Sequence, residues 1–210
     1  MSCKTTPAII AMCLGDAHID KHCRLTMKHC EKQKEYFEYK LKILQTLQKQ
    51  EVWNNIYYNY NPKYNKTYLT YQLATKQKPI YRIVKEWMSK GITRKLLEKL
   101  DEHAIAIWFM DDGSTTVLKS PNGKIRATIT TLATYTTKEQ NQVIVDFFLE
   151  KYGIKWRVHK QGELYRIQIG TKEAKKLGVL LEPYILPCLR YKIEPLLIQD
   201  RTSLADENIV

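Results

Sequence analysis

Two short apolar segments of this chain each run into an aspartate, and the second segment is a displaced copy of the first. Laying Asp16 on Asp112, 96 positions away, brings Ala8 onto Ala104, Ile9 onto Ile105, Leu14 onto Met110 and Ala17 onto Gly113. The patterns that follow repeat in the same order. In the first half, an apolar helix over 7–16 leads to a strand of period two at Arg24–Lys28. An amphipathic helix over 31–50 comes next, with Tyr36, Phe37, Leu41, Leu44 and Leu47 at helical spacing. A tyrosine- and asparagine-rich hairpin over 55–75 turns at Asn61-Pro62, and a helix from Pro79 to Ser89 closes near Gly91. In the second half a helix over 101–112 is followed by a hairpin over 114–134 that turns at Ser120–Gly123. Thr137 opens a helix with Val143, Phe147 and Phe148 on its apolar face. Strands at Ile154–Lys160 and Glu163–Gly170 then flank Gln161-Gly162, and a last helix runs from Thr171 to about Leu181. Such a duplication predicts an α+β fold of two pseudo-symmetric αββαββα halves, residues 1–100 and 101–210, each built on a mainly antiparallel sheet. The acidic stretch Thr202–Val210 reads as a short frayed tail.

Composition narrows the function. With 44% hydrophobic residues among 210 the chain can bury a real core. Its 34 lysines and arginines against 22 acids give a charge of +12, and the basic residues are interleaved with Tyr, Thr, Asn and Gln rather than blocked in a tail. That mixture suits a surface that binds a polyanion and also reads hydrogen-bond patterns. The apolar run Ala8–Leu14 is far short of the ~18 residues of a membrane span. Five cysteines (Cys3, Cys13, Cys23, Cys30 and Cys188), without a CxxC pair, fit free thiols in a reducing compartment, so a soluble intracellular protein is expected. His18, His22, Cys23, His29 and Cys30 crowd together, but strand alternation sends Cys23 and His29 to one side and His22 and Cys30 to the other, which argues against zinc.

The two duplicated helices deliver a carboxylate at their C-terminal ends, where the helix dipole disfavours an anion. Either aspartate alone would read as a turn residue. Two at equivalent points of a repeat read as a functional pair, and a bound divalent cation would compensate them. Ala8, Ala11 and Gly15 form a stripe of small residues that lets another helix approach closely. If the two helices pack on each other, Asp16 and Asp112 meet in a basic surface, and two carboxylates with a metal are the parts of phosphodiester hydrolysis.

The segments Ile9-Ile-Ala-Met-Cys-Leu-Gly-Asp-Ala17 and Ile105-Ala-Ile-Trp-Phe-Met-Asp-Asp-Gly113 resemble the two signature helices of the LAGLIDADG homing endonucleases, in particular the single-chain, intron-encoded branch. The resemblance covers residues 7–195 in element order as well. It implies a monomeric, site-specific endonuclease that cuts both strands of a long, non-palindromic double-stranded DNA target with Mg²⁺ or Mn²⁺, leaving short 3′ overhangs. Asp16 and Asp112 would ligate the metal, with Gly15 and Asp111 beside them; Asp111 precedes the matching position and is supporting. A basic residue near each site would be Lys192, in Tyr191-Lys-Ile-Glu-Pro195, and its first-half counterpart Lys90. Bulkier Ile107, Trp108 and Asp111 at the helix interface imply imperfect pseudo-symmetry. Some relatives of this kind assist splicing of a host intron RNA, which makes a maturase the alternative reading; a DNA-binding protein without catalysis is a third, disfavoured by retention of both acids.

In the family the two sheets form a saddle along the major groove, and strand alternation nominates its reading face. Arg24, Thr26 and Lys28 lie opposite Leu25 and Met27; Tyr68, Thr70 and Gln72 lie opposite Leu69, Tyr71 and Leu73. Lys124, Arg126, Thr128 and Thr130 are expected outward, against Ile125, Ala127 and Ile129. Lys155, Arg157 and His159 are expected opposite Ile154, Trp156 and Val158, and Arg166 and Gln168 opposite Tyr165, Ile167 and Ile169. The Tyr57–Tyr60 strand carries polar aromatic residues on both faces and takes no orientation from sequence.

Overall fold

The computed structural model describes residues 5–48 and 52–197. The expected tail over 202–210 and the side chain of Leu47 lie outside the described residues. At the centre, helix α1 (Thr5–Leu14) packs on helix α5 (Glu102–Asp112). Ala8–Met12 and Ala104–Met110 are all buried, as required of helices apolar on every side. Asp101 caps α5, its Oδ1 accepting the Ala104 N–H at 2.9 Å. The stripe of small residues meets the partner helix at its end: a Cβ on Gly15 would lie 2.3 Å from Asp111 Oδ2. Gly15→Ala is therefore expected to push the helix ends apart and to cost about 1–3 kcal/mol, as overpacking does; a denaturant midpoint equal to that of the parent protein would refute this close approach.

Each half adds four strands. In the first come β1 (Ala17–Ile19), β2 (Leu25–Cys30), helix α2 (Lys34–Gln48), β3 (Trp53–Asn61), β4 (Lys66–Ala74), helix α3 (Pro79–Ser89) and the short α4 (Arg94–Leu97). The second contributes β5 (Gly113–Lys119), β6 (Ile125–Thr136), α6 (Lys138–Tyr152), β7 (Arg157–Gln161), β8 (Leu164–Gly170), α7 (Thr171–Leu181) and α8 (Glu194–Leu197). The sheets are ordered β1-β2-β4-β3 and β5-β6-β8-β7, antiparallel throughout, so the duplication extends to topology. The α+β architecture is that expected from the repeat. The one-turn helices α4 and α8 are too short to show a period in sequence. Among the described residues, no helix is long and apolar enough to cross a membrane.

Ladder register decides which side chains share a face, because directly paired residues point the same way. Leu25, Met27 and Leu73 are buried toward the helices, while Thr26, Lys28, Thr70 and Gln72 share the opposite, outer face. Pairing of Asn55 with Gln72, Tyr57 with Thr70 and Asn59 with Tyr68 puts those residues of β3 on the outer face too. This orients the strand that sequence left open.

In the second sheet the expected phase of β6 is reversed. Thr128 and Thr130 are buried and face the helices, whereas Ile125 is exposed and Ala127 and Ile129 lie outward with it. The threonine hydroxyls find partners inside: Thr128 Oγ1 donates to Thr171 Oγ1 at 3.3 Å, and Thr130 Oγ1 lies 3.2 Å from Thr115 Oγ1. A hydroxyl with a partner is inexpensive to bury, so hydropathy alone misjudged this strand. Lys124 and Arg126 remain exposed, at the hairpin tip beyond the core. A second correction concerns the strand expected from Ile154. Pairing starts at Arg157; the preceding segment buries Ile154 and Trp156, and Lys155 is held by its backbone N–H on Glu173.

Candidate active site and nucleic-acid interface

Because α1 and α5 pack, their C-terminal ends bring Asp16, Asp111 and Asp112 into one cluster. Asp111 sits deepest. Its Oδ2 accepts the backbone N–H of Asp16 at 3.2 Å, tying one helix end to the other, and its Oδ1 meets the ammonium of Lys40 at 2.5 Å. Both partners of that ion pair are fully buried. The Lys40 ammonium also lies 3.3 Å from His29 Nε2 and 4.3 Å from the centre of the Tyr36 ring, whose hydroxyl donates to the Ile107 carbonyl. Burial and the neighbouring Lys40 charge push His29 down to about 4, so it is neutral at physiological pH.

Asp16 and Asp112 differ from Asp111 in having no buried cation of their own. Burial first, then the Asp111 charge, raises the Asp16 carboxyl above its ordinary range. Asp112 is pushed up to about 7 by burial and by Asp111 and Asp16. Carboxylates that repel one another in a partly dry site are short of positive charge, which is the condition a divalent ion relieves. Among the described residues, ligand atoms of Asp16, His29 and Asp111 lie within 4.8 Å of one another. Lys40 already contacts two members of that trio, so its internal ammonium does part of what an ion would do there. Asp16 and Asp112 remain raised even with Lys40 acting on the first and Lys192 on the second, and are the pair left short of positive charge.

Lys192 reaches the same place from the second half. It lies in a 3-10 run, Pro187–Lys192, and its buried ammonium donates to the carbonyls of Met110 at 2.5 Å and Asp111 at 3.1 Å. It thereby caps the C-terminus of α5. Burial depresses its basicity while the three nearby aspartates oppose that effect. An ammonium has three donors, so one remains. Lys90 is not brought to the carboxylates: it stands at the end of α3, 65% exposed, 3.6 Å from Glu86. Sequence reasoning missed Lys40 and His29. Both left a trace, since Lys40 sits midway between Tyr36 and Leu44 on the buried stripe of α2, and His29 continues the inward series Leu25, Met27.

The outer faces of the sheets flank this cluster. On the first, Thr26, Gln72, Trp53 and Arg24 line a concavity of ≈ 940 Å³. Arg24 is held by Asp20, with Nε and Nη2 each 2.8 Å from Oδ2. Lys28 and Tyr68 are exposed and Thr70 is half-buried. On the second, Arg157 and His159 are exposed and pair with half-buried Gln168 and Arg166, so all four share the outer face, where expected. Gln168 donates its amide to Thr131 Oγ1 at 2.9 Å.

The LAGLIDADG DNA endonuclease family matches residues 7–177 of the chain. Over 111 residues, 50% of this chain and 76% of the other, the sequence is 29% identical to probable intron-encoded DNA endonuclease 3 of Mycosarcoma maydis. It is 22% identical over 206 residues to the protein RecA of Mycolicibacterium flavescens, of which it spans 45%. Among solved structures, the homing endonuclease I-WcaI bound to its DNA recognition sequence superposes with a TM-score of 0.74 over 92% of this chain and 88% of that one; at 22% identity this is a likeness of fold.

Proposed function

The chain belongs to the LAGLIDADG DNA endonuclease family, and on that premise we propose that it cuts both strands of a long, non-palindromic DNA site, leaving short 3′ overhangs. The observation that carries this reading is the meeting of Asp16 and Asp112, poor in compensating charge, between two sheets whose outer faces are polar and basic. Asp16 and Asp112 would hold Mg²⁺ or Mn²⁺; bound there, a divalent ion supplies an activated water and neutralises charge on the phosphate. The Asp111 side chain, committed to Lys40 and the Asp16 N–H, keeps the two helix ends in register. Lys192 directs its remaining N–H toward the charge that develops on phosphorus. One chain carries both sheets, so a monomer covers both half-sites.

The test is incubation of the purified chain with Mg²⁺ and duplex DNA spanning the uninterrupted insertion site of its own gene. Cleavage of both strands at one position is expected; intact DNA at protein concentrations that saturate binding would sink the proposal. Lys192→Met is expected to slow cleavage by about 100-fold or more, in the range of a lost oxyanion donor, with little change in DNA affinity. Equal losses in both would make Lys192 a phosphate contact.

A pH dependence follows from Asp112. Its carboxyl binds a proton more tightly in the fold than the ordinary value of 3.8, so without metal its contribution to stability is full below about pH 4 and is lost as pH rises to about 7. An ion needs the deprotonated form. The increase in Tm produced by Ca²⁺ should therefore be larger at about pH 8 than at about pH 6. An increment independent of pH would remove Asp112 from the ion site.

A further inference from the structure

The outer faces of the two sheets carry different base-reading chemistry. Guanine offers two acceptors in the major groove and is matched by the donor fork of arginine; adenine pairs an acceptor with a donor and is matched by an amide; thymine presents a methyl group. On the first sheet the nearest guanidinium, Arg24, is already bound to Asp20. Apart from Lys28, a point charge without the arginine fork, that face offers amides and phenols. Asn59 spends one of its two amide N–H donors on Thr70, and Asn55 Oδ1 accepts the Ile56 N–H. The side-chain amide of Gln72, whose backbone pairs with Lys28 and Asn55, has no hydrogen bond to another described residue, leaving both of its ends for a ligand.

The second sheet, where the Gln168 amide donates to Thr131, offers guanidinium groups instead. Arg157 and Arg166 lie on neighbouring strands of its outer face, and among the described residues neither has a carboxylate partner. Arg166 Nε is buried without a hydrogen-bond partner, so the root of its guanidinium is shielded from solvent. Beside them the reversed phase of β6 presents Ala127 and Ile129 outward, next to Leu118 of β5. An apolar strip on a face turned to nucleic acid has no use for phosphate, but it matches thymine methyls.

Resting on the DNA-cleaving function proposed above, we propose that the two half-sites of the target differ in composition. Guanines are read beneath the second sheet by Arg157 and Arg166, with Ala127 and Ile129 on thymine methyls, whereas the half-site beneath the first sheet is read at an adenine through Gln72.

The experiment selects binders from a randomised DNA duplex pool in Ca²⁺ with the full chain and with Arg166→Ala, Arg157→Lys and Gln72→Ala. Affinities for the selected duplex and its single base-pair variants are then measured. In the parent selection, fixed guanines should fall at one end of the site. Arg166→Ala should weaken the preference at one of them by about 5- to 150-fold and leave other positions unchanged. Arg157→Lys keeps the charge and loses the fork, so binding to unrelated DNA should persist while one guanine preference is lost. Gln72→Ala should relax an adenine at the opposite end. Uniform loss of affinity across all duplexes, with a shallower salt dependence, would overturn the assignment by making the arginines phosphate contacts. Relaxation at bases other than guanine would overturn it as well. A parent chain that enriches no sequence would instead bring down the site-specific function itself.

Discussion

Replacing Asp112 by Asn, or Asp16 by Asn, is expected to reduce double-strand cleavage by at least about 100-fold, given that even the outer partners of metal ligands carry roughly 10- to 100-fold. Affinity for DNA should change little, because neither carboxylate belongs to the outer faces of the sheets. Asparagine keeps the size of the side chain and removes only the charge, so the packing of α1 on α5 survives the change. A second readout is independent of cleavage. Near neutral pH the Asp112 carboxylate is disfavoured by burial and by Asp111 and Asp16. Asp112→Asn should therefore raise the Tm of the metal-free protein and diminish the increment that Ca²⁺ produces. Undiminished cutting by either variant would remove that residue from the reaction, and an unchanged Ca²⁺ increment would place the ion elsewhere.

Lys40→Met should cost about 3–5 kcal/mol of folding stability, the usual penalty for stranding one partner of a buried ion pair. The size of the effect follows from the geometry: a 2.5 Å contact between two side chains with no solvent exposure leaves the Asp111 charge only the Asp16 N–H once the ammonium is gone. Removing both charges together, Lys40→Met with Asp111→Asn, should recover much of the loss, since a matched apolar or neutral pair of similar volume is often tolerated there. The double-mutant cycle, read from urea midpoints, isolates the pair. Additive losses in the two single variants would mean that Lys40 and Asp111 act separately. The pair matters to function because Asp111 also accepts the Asp16 N–H, so its position sets how the two helix ends face each other.

The fold was legible wherever local periodicity carried the information. Helix α3 was expected to run from Pro79 to Ser89 and does, because proline opens it and its apolar stripe is continuous. Strand β8 shows the same legibility, with Ile167 and Ile169 inward and Arg166 and Gln168 outward. Strand β6 was misjudged because threonine and isoleucine are both β-branched and fit either face. Its phase is decided by Thr171 and Thr115, which offer partners for the inward hydroxyls. Lys40 escaped notice for a related reason. A lysine on an apolar stripe reads as a flaw in the pattern until its counter-charge appears, and that counter-charge stands 71 residues away.

The chain by itself determined the pairing of Asp16 with Asp112. A repeat in sequence forces equivalent positions in two copies of one fold, and a helix rich in small residues dictates close packing against its copy. What only the tertiary structure decided is how those carboxylates are compensated. Lys40 and Lys192 arrive from different elements, one clamping the Asp111 side chain and the other capping the end of α5, while Lys90 stays at the surface beside Glu86. Periodicity within a segment fixes which face is buried, but charge compensation depends on what lies within a few ångströms across the core. That distance is set by the packing of whole elements.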